Sequence, residues 1–159
     1  MASRPDPLAP DRSFAARTGA LTEELPVSDD AELAAVLAAA SAARAAVAAA
    51  TPATRRAWLD AVATALEESA TAAALAEVAD EETALGLPRL TGEVARAAGQ
   101  LRFYGAVAAE GSYLQASLDT ADPSTTPPAP ALARVQVPLG VVAVLGASNF
   151  PFGFGIVGN

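Results

Sequence analysis

One short stretch constrains this chain more than any other. Val141-Val142-Ala143-Val144-Leu145 is a continuous apolar run bounded by Gly140 and Gly146. It is too short for an independent helix. It lacks the polar alternation of a half-exposed strand. That pattern suits a strand covered on both faces, as in a parallel sheet packed between helices. A parallel strand needs a partner reached through a crossover connection. No second run of this kind is present. Gly146-Ala147-Ser148-Asn149 ends the run, and Phe150-Pro151 offers a helix start with Pro in the first turn. The expectation is an α/β chain in which a βαβ unit is beginning when the sequence stops at Asn159.

The preceding sequence reads as helical. Asp29 with Glu32 three residues on is a capping-box pattern, followed by Leu33, Val36, Leu37 and Val47 among alanines to about Ala50. Thr51-Pro52 is a second start signal. The next helix carries Trp58, Leu59, Val62 and Leu66 at spacings of three and four. Trp58 is expected in the core. Helical pattern resumes through Leu75, Val78 and Ala79 and is expected to close at Leu85-Gly86-Leu87-Pro88, with Gly86 as the C-terminal cap. Thr91-Gly92-Glu93 is expected to open a further helix bearing Val94, Leu101, Tyr104 and Val107 and fading near Gly111.

These elements divide the chain into an irregular Pro-rich arm over 1–28, a helical part over 29–118, a Pro-, Ser- and Thr-rich extended linker over 119–131, and the core strand with its helix start over 132–159.

Charge excludes several function classes. The formal net charge is -8, and all ten basic residues are arginine. An acidic surface repels phosphate backbones, so no nucleic-acid partner is expected. With neither histidine nor cysteine, a zinc site would need carboxylates alone and is not expected, and a disulfide and a thiol nucleophile are excluded within the chain. Residues 1–28 hold no apolar leader, so a cytoplasmic location is expected.

Several charged residues have plain structural readings. Asp80-Glu81-Glu82 reads as a solvated helix end. Arg55-Arg56 reads as a helix surface, with Asp60 four residues beyond Arg56. The uncharged stretch 135–159 is long enough to span a bilayer. Pro138, Asn149, Pro151 and the repeated glycines favour a buried sheet-and-turn segment instead.

The segment Pro138-Leu139-Gly140-Val141-Val142-Ala143-Val144-Leu145-Gly146-Ala147-Ser148-Asn149-Phe150-Pro151 resembles the aldehyde dehydrogenase superfamily. The form Gly-Ala-Ser-Asn-Phe-Pro is most similar to the branch that oxidises α-ketoglutarate semialdehyde. Upstream, Glu82-Thr83-Ala84-Leu85-Gly86-Leu87-Pro88-Arg89-Leu90-Thr91-Gly92-Glu93 and Gly99-Gln100-Leu101-Arg102 resemble the same branch. The resemblance implies N-terminal helices plus the first strand of a Rossmann-like NAD(P)-binding domain, present here in part. In the intact family it also implies a small aldehyde substrate, NAD or NADP as cofactor, and a homo-oligomer.

By the same resemblance Asn149 is the side-chain donor to the oxyanion formed when a cysteine thiolate attacks the aldehyde. A neutral donor suits that task, because it stabilises developing negative charge without surrendering a proton. Read without the family, Asn149 is equally a turn or helix N-cap residue. Leu145, Gly146, Ala147 and Ser148 would line the nicotinamide-ribose side of the cofactor cleft, where strand ends meet a crevice. Read alone, they are an ordinary strand-to-helix turn. The family's nucleophilic cysteine and general-base glutamate lie beyond Asn-Phe-Pro. The chain by itself is therefore expected to be inactive and not to hold the cofactor. Two other readings are a helical interaction module over 32–110 and a tail-anchored membrane protein using 135–159.

Overall fold

The computed structural model describes residues 9–155. The first part of the expected arm and the last residues of the expected helix start lie outside the described residues. Among the described residues the chain is mixed α/β. Strand β1 (Asp11–Phe14) and strand β2 (Leu21–Leu25) come first. Helices α1 (Asp30–Ala49), α2 (Pro52–Glu67), α3 (Ser69–Thr83) and α4 (Leu87–Glu110) follow. A 3-10 turn (Ser112–Leu114) leads to strands β3 (Ser117–Asp119) and β4 (Leu132–Arg134).

The helix starts follow from side-chain caps. Asp29 accepts from the Glu32 N–H at 2.8 Å, and the Glu32 carboxylate accepts from the Asp29 N–H at 3.1 Å. The Thr51 hydroxyl accepts from the Thr54 N–H, with Pro52 in the first turn of α2. Both arrangements satisfy donors that a helix N-terminus leaves without partners.

The corner between α3 and α4 differs from expectation. Ala84, in left-handed conformation at φ 55°, caps α3, and its N–H reaches the Asp80 carbonyl. Gly86, at φ 96°, precedes α4, which begins at Leu87 rather than at Thr91. Pro88 therefore opens a helix instead of only ending one. A first-turn proline forfeits no hydrogen bond, because that N–H has no partner within the helix.

The main packing seam joins α2 to α4. Ala63, Ala98 and Leu101 are buried there, flanked by Leu59 and Leu66. Small residues bring the helices close: a Cβ added at Gly105 would sit 3.4 Å from Arg56 Cγ. Charged groups flank the seam. Arg102 of α4 pairs with Glu67 and lies 3.6 Å from Asp60, which also takes the expected ion pair from Arg56 at 3.3 Å. A second cluster (Ala76, Ala79 and Leu90) joins α3 to α4, with Leu85 and Phe152 against it.

Trp58 lies outside this core, 48% exposed. Its spacing is helical, but the seam runs along Leu59, Ala63 and Leu66, and the adjoining face is left partly open among the described residues. Helix α1 buries none of its residues. It is the one described helix long and apolar enough to cross a membrane.

The N-terminal arm is more ordered than its composition suggests. β1 and β2 form an antiparallel hairpin that shifts register between Ser13 and Phe14. This hairpin is tied to the end of α3. Arg17 donates twice to the Asp80 carboxylate, at 2.9 and 3.0 Å, Ser13 donates to Glu82, and the Ala16 N–H donates to the Glu81 carbonyl. The acidic triplet is thus a docking site for the hairpin rather than a solvated end. The Arg17 guanidinium, followed by the Gly86 N–H, holds the Asp80 carboxyl below its ordinary value of 3.8.

The Pro-rich stretch 119–131 is likewise not a free linker. β3 pairs antiparallel with β4, and a bridge between Asp122 and Ala129 continues the ladder into the connection. Beyond β4, the expected buried strand Val141–Leu145 has no strand pairing among the described residues, and its residues are exposed. Leu139 is 95% and Leu145 89% exposed. A strand is defined by its ladder, and among the described residues no strand lies alongside this one. The described part of 135–159 contains no helix.

Two measurements test this packing. Leu101→Ala should cost about 2–5 kcal/mol of unfolding free energy in urea titrations, whereas Trp58→Ala should cost about 1 kcal/mol or less. The depressed Asp80 carboxyl stabilises the fold above its ordinary titration range, and this contribution is lost as pH falls through the lowered value. Asp80→Asn should therefore melt lower than the parent chain at neutral pH. The gap in Tm should narrow progressively as melts are carried below the ordinary carboxylate range.

Candidate functional site

Of the expected site residues, Ala147, Ser148 and Asn149 share one turn on the α3–α4 corner, and Leu145 and Gly146 lead into it. The Phe150 N–H donates to the Ala147 carbonyl at 3.0 Å, which closes a turn with Ser148 and Asn149 at its centre. The Phe154 N–H then reaches the Phe150 carbonyl at 3.3 Å. Phe150-Pro151 therefore begins a single helix-like turn, and no regular helix is formed through Gly155.

Two glycines permit this path. A Cβ at Gly153 would meet the Phe150 ring at 2.5 and 2.7 Å, and one at Gly155 would meet the Pro151 carbonyl oxygen at 2.7 Å. The tight winding stacks Phe150 on Phe154, with ring centroids 4.8 Å apart.

The turn is fastened to α4 at three points. Arg89 Nη2 donates to the Asn149 backbone carbonyl. The guanidinium carbons of Arg89 and Arg96 lie 5.2 and 5.5 Å from the Phe150 ring centroid. Phe152 packs on the Ala76, Ala79 and Leu90 cluster. Arg89 is held from below, where its Nε donates to Glu93 Oε1 at 3.1 Å. Glu93 is 4% exposed, and its Oε2 is buried without a hydrogen-bond partner among the described residues.

Asn149 is exposed, and its side-chain amide makes no hydrogen bond among the described residues. The backbone of the turn is thus anchored, while the amide has no partner among the described residues. Leu145, Gly146, Ala147 and Ser148 are exposed beside it. They line neither of two clefts that lie elsewhere. One of about 570 Å³ lies between α1 (Ala40, Arg44 and Val47) and Val137–Val141. Another of about 350 Å³ lies beside Arg17 and Asp80. Among the described residues no group of three acidic side chains is placed to hold a metal ion.

The sequence reading placed Asn149 and its neighbours but missed Arg89, Glu93 and Arg96 as their support. The available signal was their spacing. Residues 89, 93, 96 and 100 recur at four, three and four positions, which puts them on one helix face. This polar face lies beside the expected apolar stripe of Val94 and Leu101.

The chain is similar to known proteins over most of its length. The profile of the Aldehyde dehydrogenase family matches residues 12–157. Alpha-ketoglutaric semialdehyde dehydrogenase 2 of Azospirillum brasilense is 45% identical over 108 residues, covering 67% of this chain and 20% of that protein. Alpha-ketoglutaric semialdehyde dehydrogenase of Acinetobacter baylyi is 41% identical over 106 residues, covering 66% of this chain and 20% of that protein. The crystal structure of PnpE in complex with nicotinamide adenine dinucleotide superposes with a TM-score of 0.63 at 23% identity. That superposition covers 72% of this chain and 23% of PnpE, and it shows the fold. The chain thus spans about a fifth of the length of the curated relatives it matches.

The turn's dependence on glycine can be measured. Gly155→Ala should strain it by about 1–3 kcal/mol. The readout is a roughly ten- to hundredfold faster hydrogen exchange of the Phe154 amide. Gly92→Ala, where an added Cβ meets nothing within 4 Å, should leave that exchange unchanged.

From the Asn-Phe-Pro turn to the helices that carry it, and across residues 12–157, this chain belongs to the aldehyde dehydrogenase family.

Proposed function

We propose that this chain supplies the oxyanion donor and one wall of the cofactor cleft of an aldehyde dehydrogenase that oxidises a small aldehyde to a carboxylate. One observation carries the reading: Asn149 sits in a turn whose backbone is fastened to α4, with its own amide exposed and unengaged among the described residues. Fixed donors aimed at developing charge lower a barrier because they need no reorganisation during the reaction.

Attack of a thiolate on the aldehyde carbon moves the carbonyl electron pair onto oxygen, and the Asn149 amide would donate to that oxyanion. The nicotinamide, when bound, accepts the hydride. Leu145 to Ser148 would bound its ribose side, with Gly146 giving close backbone approach. No cysteine is present in the chain, so the thiolate belongs to sequence outside these residues. The names of the curated relatives support α-ketoglutarate semialdehyde as the substrate. A cytoplasmic setting and homo-oligomeric assembly complete the reading.

The test is a hybrid in which residues 1–159 replace the matching segment of the Azospirillum relative. The chain alone should produce no NADH or NADPH from α-ketoglutarate semialdehyde, and the hybrid should produce it. Asn149→Ala in the hybrid should lower kcat by about 10²–10³-fold. A hybrid indifferent to Asn149→Ala would remove the proposed role.

A further inference from the structure

We propose that Arg89, held by the buried Glu93, is the positioning residue for Asn149. The inference rests on the oxyanion reading above and extends it to how the amide is aimed.

Arg89 uses three separate surfaces of one guanidinium. Its Nε donates to Glu93 Oε1 at 3.1 Å, its Nη2 donates to the Asn149 carbonyl, and its Cζ lies 5.2 Å from the Phe150 ring centroid. One planar, permanently charged group therefore grips the backbone of residue 149 and the side chain of residue 150 together. A lysine ammonium is a single point charge with no planar fork, so it cannot occupy all three contacts. Arg96 contributes a second cation near the same ring, 5.5 Å from its centroid.

Glu93 makes the arrangement directional. It lies one turn beyond Arg89 on α4 and is buried, so the guanidinium edge it binds is set by a side chain with little freedom. The rigid helix thus orients the arginine, and the arginine orients the turn. With the Asn149 carbonyl and the Phe150 ring both fixed, the direction of the Asn149 side chain follows from its backbone. Loss of the clamp would leave the amide present but misdirected, and misplacement by about 1 Å can cost about a hundredfold in rate.

The test uses two readouts. In the chain itself, 4-fluorophenylalanine reports on its five phenylalanines, and Phe150→Leu assigns the Phe150 resonance. In the hybrid, kcat and KM are measured. Arg89→Ala and Arg89→Lys should both move the Phe150 resonance toward its solvent-exposed position and lower kcat by about a hundredfold with KM retained. Arg102→Lys, which disturbs the α2–α4 seam instead, should lower Tm without moving that resonance.

Arg89→Lys that keeps both the resonance and the kcat of the parent overturns the proposal. Should Arg89→Ala fail to fold, Glu93→Gln takes its place: it should shift the Phe150 resonance in the same direction, and an unmoved resonance overturns the proposal. If Asn149→Ala leaves kcat unchanged while Arg89→Lys still moves the resonance, the oxyanion reading falls and the anchoring of the turn stands.

Discussion

The close approach of α2 and α4 is the contact on which the other parts depend. It is made by small side chains, Ala63 against Ala98, with Leu101 between flanking Leu59 and Leu66. Alanine buries little apolar area per residue, so the attraction comes from proximity rather than bulk. Proximity in turn demands that the charged edges match. Arg102 reaches Glu67 and Asp60 across the same seam. Such exposed pairs contribute modestly to stability, but they set the register that places α4. Three residues that touch the Asn149 turn, Arg89, Leu90 and Arg96, hang on that helix, as does Glu93 beneath Arg89.

A second junction lies at the end of α3. Asp80 accepts two hydrogen bonds from Arg17 and one from the Gly86 N–H. A single carboxylate therefore joins the N-terminal hairpin to the corner from which α4 departs. The Asn149 turn packs on the same corner through Phe152. Segments from the two ends of the described chain are thus organised around one helix–helix corner, although neither forms a layer of its own.

Local chemistry in the sequence was a good guide to local structure. The Asp29–Glu32 box, the Thr51-Pro52 start, the Arg56–Asp60 pair and the end of α4 at Gly111 depend on residues within four positions of each other. Features closed by distant partners escaped it. Nothing near Asp80 in sequence announces Arg17, and nothing in the Pro-rich stretch announces the bridge from Asp122 to Ala129. Trp58 shows the limit of periodicity: spacing identifies which residues share a face, but burial requires a partner for that face. Val141–Leu145 makes the same point for strands, since an apolar run has strand propensity but no ladder of its own. For the site, the family motif placed Asn149 at the turn, while its support on α4 needed three-dimensional contacts to be seen.

Helix α1 behaves differently from the other three. It is long, alanine-rich and capped at its start, yet buries none of its residues. Its order therefore comes from helix propensity and a capping box, with little from tertiary packing. Alanine gives up the least entropy on entering a helix, and its length exceeds the roughly 12–15 residues below which isolated helices are marginal. Such a segment follows helix–coil statistics. Its ends should fray and reform within about a microsecond, independently of whether the α2–α4 seam is intact, so part of the chain's helicity is uncoupled from cooperative unfolding.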